Sequence, residues 1–431
     1  MTSHNESQRQ SRWIELFDPK KYYPVLEVLS LYLTIADFLV LCRVCKGLDG
    51  LKDCMLRKIS NVNTQLKDFV DDPPMFRSKL GNYGALISGP FALNLLELGQ
   101  WRVLYLDVFI KDGDNADHFT KYVRENEKYE NDSPEVETVK SQLPRNSSLY
   151  VQFLLTPFQT PRRAIYSSSA RPGIKLRITR TSGSPIHAIL TSSYTTACVN
   201  FLTWNKAYSI FPQQTLINHQ FYPLRSLDDD FGSKLNELAS QGWTTRDIMW
   251  PDFEGAKNHR LAGLRRIGDS SILVIPLDTD SVHTPSTPDF VIEYAQFEVL
   301  EQDLQFSSCR TGFAQNQFGF SATQNESPNG SFLKIRAQEM VSPAVRYAYT
   351  TAATQWRDYL QERLKRWAWL ELFKLEPGNR PFQSSSAFPL VSSISIPQDF
   401  EMPQSWDYAD DQIPEWYREW EQAWMGKGGP R

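Results

Sequence analysis

Residues 24–48, PVLEVLSLYLTIADFLVLCRVCKGL, constrain the fold more than any other stretch of this chain. Apolar residues recur at helical spacing through Leu26, Leu29 and Leu33, and again through Leu41, Val44 and Leu48. Pro24 suits the first turn of a helix, where its missing N–H is not needed. Between the two runs, Thr34 has the chemistry of an N-cap and Asp37, three residues on, that of a capping-box partner. The pattern predicts two or three short helices joined by tight turns. So short a segment cannot bury its own apolar surface. It must pack on the rest of the chain or on another protein.

At 431 residues the chain is long enough for two or three domains. A net charge of −4 gives no support to nucleic-acid or anionic-membrane binding. Cys42, Cys45, Cys54, Cys198 and Cys309 are an odd, sparse set, and residues 1–12 are polar without the apolar core of a signal peptide. The expectation is a reduced compartment, cytoplasm or nucleus, with the sequons at Asn146 and Asn329 as chance matches. No apolar run approaches the ~20 residues of a membrane span.

Along the chain, residues 1–21 are polar, 22–60 carry the helical segment, and 61–79 read as a linker with a helix over Asn63–Val70. The paired prolines Pro73 and Pro74 are expected to exclude helix there. Residues 80–300 change to α/β character. Ala85–Ser88, Val103–Ile110, Lys175–Thr179, Ser271–Ile275 and Phe290–Val299 read as strands, and Phe91–Leu98 as a helix after a Gly89-Pro90 turn. A charged helix follows Asp117, and Ser226–Gln241 is a helix stopped by Gly242. Ile186–Phe201 fits helix or strand. Residues 301–375 comprise a loop, a strand and the longest helix, expected over 343–374. Residues 376–431 form a Ser/Pro-rich linker and an acidic tail.

The order of residues in the opening stretch resembles the F-box. Leu33-Thr34-Ile35-Ala36-Asp37-Phe38-Leu39 stands as its polar-Asp step and Arg43-Val44-Cys45-Lys46 as its closing helix, although Tyr23 replaces the usual leucine before Pro24. The resemblance implies docking on a Skp-type subunit of a cullin ubiquitin ligase through Pro24, Leu26, Leu29, Leu33, Val44 and Leu48.

A strand, the Gly89 turn, a helix and a strand bearing Asp107 resemble the nucleotidyltransferase core. There the glycine turn approaches a triphosphate, and carboxylates two apart on one strand face hold divalent metal. Together with Phe76-Arg77-Ser78, Gly84–Gly89, Val199–Trp204, Ala207-Tyr208-Ser209, Trp406-Asp407-Tyr408 and Asp410–Pro414, the chain is similar, over most of residues 24–425, to a filamentous-fungal family. In that family an F-box-like N-terminus precedes a nucleotidyltransferase-like fold. The implied class is α+β or α/β: a short helical hairpin, then a mixed-sheet domain with a long C-terminal helix.

The catalytic pattern is broken three times. Pro90 stands where a phosphate-facing Ser or Gly belongs, Tyr105 replaces the first carboxylate, and Ile186–Phe201 supplies no third acid. Asp112 and Asp114 lie beyond the strand end. One carboxylate cannot build a two-metal site. Gly89, Pro90, Tyr105 and Asp107 are therefore expected to be a vestigial nucleotide site, with no metal and no cofactor.

Cys42-x-x-Cys45 lacks a second ligand pair and reads as apolar packing, and His4, His118, His187, His219, His259 and His283 show no metal spacing. In the tail, Trp416, Trp420 and Trp424 recur every four residues. This stripe either docks on the chain's own core, widened by Ile413 and Tyr417, or anchors a partner. The foremost expectation is a non-catalytic adaptor presenting an unknown protein. The alternatives are a nucleotidyltransferase-fold enzyme or nucleotide-binding pseudo-enzyme, and a self-contained fungal interaction protein, in signalling or genetic conflict, whose hairpin packs on its own domain.

Overall fold

The computed structural model describes residues 28, 32–44, 50–132, 137–138, 162–225, 229–245, 261–303, 331–381, 396 and 400–425. The predicted capping box opens helix α1 (Ile35–Val44), which precedes α2 (Gly50–Ser60). Thr34 N–H donates to Asp37 Oδ2 at 2.9 Å, and Asp37 N–H donates to Thr34 Oγ1 at 3.2 Å. Ile35 and Phe38 are buried, with Leu33, Leu39 and Leu41 packed beside them. The outward side of α1 carries Val40, 60% exposed. The inner face of this helix is therefore covered by the chain's own core.

The linker departs from expectation. Its helix is short, Val62–Leu66, and Pro73 and Pro74 open a helix, α3 (Pro73–Tyr83), instead of excluding one. In a first turn neither proline needs an N–H, and Asp72 caps the turn by accepting from Met75 N–H at 3.0 Å. Arg77 of α3 is buried and donates to Trp204 O at 2.9 and 2.6 Å and to Asn63 Oδ1 at 2.9 Å. Burial lowers its pKa to about 10.

The central mixed sheet contains β1 (Leu86–Ser88), β2 (Tyr105–Lys111), β3 (Glu130–Asn131), β4 (Glu137–Thr138), β5 (Arg162–Ser167), β6 (Lys175–Thr181), β7 (Asn200–Leu202), β8 (Lys206–Ser209) and β9 (Leu273–Pro276). Their order is β9-β8-β7-β1-β2-β6-β5-β3, with β4 also on β5. All pairs are antiparallel except β2 with β6.

Strand alternation divides the core. Leu106, Val108, Ile110, Leu176 and Ile178 share a cluster with Phe76 of α3, Phe91 of α4 (Pro90–Leu96) and Phe119 of α5 (Asp114–Glu125). The opposite face sets Leu86 and Phe109 against Ile186, Ile189 and Leu190 of α6 (Pro185–Ser192). A three-stranded sheet of Gly263–Arg266, Gln296–Asp303 and Ser331–Arg336 closes that side.

Two further stretches are corrected. Phe290–Val299, read as one strand, is a helical turn, Phe290–Glu293, followed by a strand that begins at Gln296. A short apolar run satisfies either period, and tertiary packing selects. The longest helix, α8, spans Thr354–Lys374 and not 343–374, because Tyr349–Thr351 pairs as a strand with Gln338–Met340. The β-branched Thr350 and Thr351 favour that choice. Helix α7 (Asp229–Ser240) ends before Gly242 at φ +93°, and α9 (Ile413–Met425) closes the chain against α8. Among the described residues no helix is long and apolar enough to cross a membrane.

Candidate functional site

Strand β1 runs antiparallel to β2, so Ser88 lies opposite Asp107 and the glycine turn passes the acidic strand. Gly89 has φ +75°, and a Cβ there would stand 2.5 Å from Asp107 Oδ2. Only glycine fits both the backbone and the space. Pro90 then starts α4 without an N–H, which removes one donor from the turn that would face a phosphate. The Ser88 hydroxyl is also committed, donating to Asn200 O at 2.7 Å.

What Asp107 does is decided by β6. Ile186–Phe201, which fits helix or strand by sequence, divides into α6, a 3-10 turn (Thr196–Cys198) and β7. The strand beside β2 is β6, whose parallel register sets Arg177 next to Asp107 on the same face. Arg177 Nε and Nη2 each donate to one oxygen of the Asp107 carboxylate, a bidentate pair. Its guanidinium also lies over the Tyr105 ring, 4.3 Å from the centroid. Tyr105 and Asp107, the two positions where metal carboxylates would stand, thus both hold an arginine.

Magnesium does not fit this donor set. It requires several oxygens in near-octahedral geometry, and Asp107 gives both of its own to Arg177. Asp112 is five residues further on, roughly 16 Å along an extended strand. It pairs with Arg180 at 3.1 Å, which also holds Asp117 at 2.7 Å. Asp114 sits in the first turn of α5. Among the described residues no group of three His, Cys, Asp or Glu is placed to hold a metal.

Of the N-terminal contact residues, Leu33 is half-buried against the chain's own core. Pro24, Leu26, Leu29 and Leu48 lie outside the described residues, as does the side chain of Val44. In the tail, Trp416 and Trp420 are buried beside Trp356 and Leu360 of α8, and Trp424 stacks on Trp420 at 6.0 Å.

One cluster had no signal in the sequence. Glu97, at the end of α4, is 1% exposed, and His219 Nε2 lies 3.3 Å from its carboxylate. Burial raises the Glu97 carboxyl above the ordinary carboxylate range, and the hydrogen bond to Glu97 raises the His219 imidazole. The two are 122 residues apart, so no local spacing could have joined them.

No family model matches this chain, and no curated protein does. Among solved structures, a CCA-adding enzyme in complex with ATP aligns at 19% identity over 41% of this chain and 40% of that one, with a TM-score of 0.25. An apo form of CCA-adding enzyme aligns at 17% over 46% and 44%, TM-score 0.26, and a complex with CTP at 16% over 42% and 45%, TM-score 0.23. The alignments span less than half of each chain, and at these scores the likeness carries no argument about activity.

Proposed function

We infer that this chain is a non-catalytic adaptor, in which a nucleotidyltransferase-like core serves as a scaffold and the N-terminal helical segment docks on a Skp-type subunit of a cullin ligase, presenting another protein. The observation that carries the non-catalytic part is the commitment of Asp107 to Arg177, with Tyr105 beneath the guanidinium. The exposed side chains Tyr32 and Val40 support docking through the outward side of the segment, since Ile35 and Phe38 are turned into the core. Affinity purification of the tagged full chain tests it. A Skp-type subunit and cullin should be recovered with the natural chain and lost with Tyr32→Glu/Val40→Glu. Their absence from the natural chain's eluate would reject the adaptor role.

A second reading, a nucleotide-binding pseudo-enzyme, is favoured by the close passage of Gly89 against Asp107. Titration with ATP, GTP, CTP and UTP plus magnesium decides it. Saturable binding abolished by Gly89→Val supports this alternative, and flat titrations exclude it.

A further inference from the structure

Ala164 and Tyr166 of β5, like Leu176 and Ile178 of β6, turn into the core behind the central sheet. Strand alternation therefore sets Arg163 on the other face, with Lys175, Arg177 and Thr179. Two of these three cations are neutralised: Lys175 pairs with Asp132 at 3.2 Å and Arg177 with Asp107. Arg163 is not. It is half-buried, its Nε is sealed from solvent, and among the described residues it has no hydrogen-bond or ion-pair partner. Nor is it at an open edge, since β5 is flanked there by β6 and β4. Thr179 stands directly opposite on β6, 2% exposed, and its hydroxyl is also buried without a partner. Opposed residues hold their Cβ atoms about 5 Å apart, so two orphaned polar groups stand side by side. Buried polar groups are ordinarily hydrogen-bonded, and an unpartnered charged one is the costliest exception.

We propose that Arg163 and Thr179 form a binding site for a phosphate oxyanion, held without a metal beside the Asp107–Arg177 pair. The donors set the class of ligand. A guanidinium presents a planar fork to two oxygens, and the threonine hydroxyl needs a third acceptor. A carboxylate fills the fork and leaves the hydroxyl unpartnered, whereas a tetrahedral phosphate has an oxygen for each. Charge agrees with this choice: with Lys175 and Arg177 paired, Arg163 is the uncompensated cation of β5 and β6 on this face. Glu137 of β4 holds the register position on the other side of Arg163 and is the competitor within the chain. With β2 between β6 and β1, the site is apart from the Gly89 turn. It depends on neither the adaptor nor the nucleotide reading.

Calorimetric titration of the full chain with inorganic phosphate, in EDTA and at constant ionic strength, tests it. The isotherm should saturate at a single site. Arg163→Leu should abolish binding, and Thr179→Val should weaken it about tenfold, the effect of one hydrogen bond to a charged group. Sulfate, also tetrahedral, should displace the phosphate, and acetate should not. Methyl phosphate separates the two sources of the ligand. Binding equal to that of phosphate assigns the site to the terminal group of a phosphomonoester, and binding of inorganic phosphate alone assigns it to the free ion. A flat titration overturns the proposal, as does saturable binding that survives Arg163→Leu. Binding seen only in Glu137→Gln also overturns it, because Glu137 is then the natural partner of Arg163. Should the variants not fold, the natural chain decides by thermal denaturation. Phosphate and sulfate must each raise its midpoint saturably, and an equal rise with acetate overturns the site.

Discussion

Asp107–Arg177 and Glu97–His219 are the same construction built from different cations. In each, a carboxylate that is nearly buried meets a basic nitrogen contributed by a distant part of the chain. Arginine remains charged throughout the physiological range and its planar fork matches both carboxylate oxygens, so the first pair is permanent. Histidine offers one nitrogen to its carboxylate and titrates near neutrality, so the second pair is conditional. The identity of the cation separates a lock from a switch.

The largest expected effect comes from breaking the lock. Arg177→Ala leaves Asp107 buried without its partner and should lower stability by about 3–5 kcal/mol in urea denaturation. The double variant Asp107→Leu/Arg177→Leu should recover much of that loss, because no charge remains to be desolvated. A double variant no more stable than Arg177→Ala would show that the pair does more than neutralise itself. Gly89→Ala comes next, at about 1–3 kcal/mol, since it imposes a positive φ on alanine and drives a methyl into Asp107. A neutral result would mean that the turn relaxes freely and Asp107 is not confined.

The switch is sharpened by pH. Stability of the natural chain should decline as pH rises above 6.5, and His219→Gln should flatten that decline while Arg177→Lys leaves it in place. An unchanged decline in His219→Gln would assign the effect to another group. The smallest effect belongs to Tyr105→Leu, which removes only the ring beneath Arg177 and should cost about 0.5–1 kcal/mol by thermal denaturation. A larger loss would make the stacking, more than the carboxylate, the support of the guanidinium.

How much of this was legible depends on the range of each interaction. The Thr34–Asp37 box, the Gly89 turn and the Trp416–Trp420–Trp424 stripe are local patterns, and each forms in the folded chain. The prolines after Asp72 were misread because the same residue breaks a helix inside it and starts one at its first turn. The strand over 290–299 and the upstream extension of α8 failed for a related reason, since short apolar runs satisfy two periodicities at once.

The amino-acid sequence by itself determined that Asp107 has a tyrosine, Tyr105, and not a second carboxylate two residues before it, and that the N-terminal segment carries more apolar surface than it can bury alone. Tertiary structure decided the rest. Arg177 reaches Asp107 from 70 residues away because β6 joins β2 in parallel, a pairing that needs a long crossover and leaves no trace in local spacing. His219 reaches Glu97 across a still longer separation of 122 residues. Charge pairing acts through space, and a linear pattern records only neighbours along the chain.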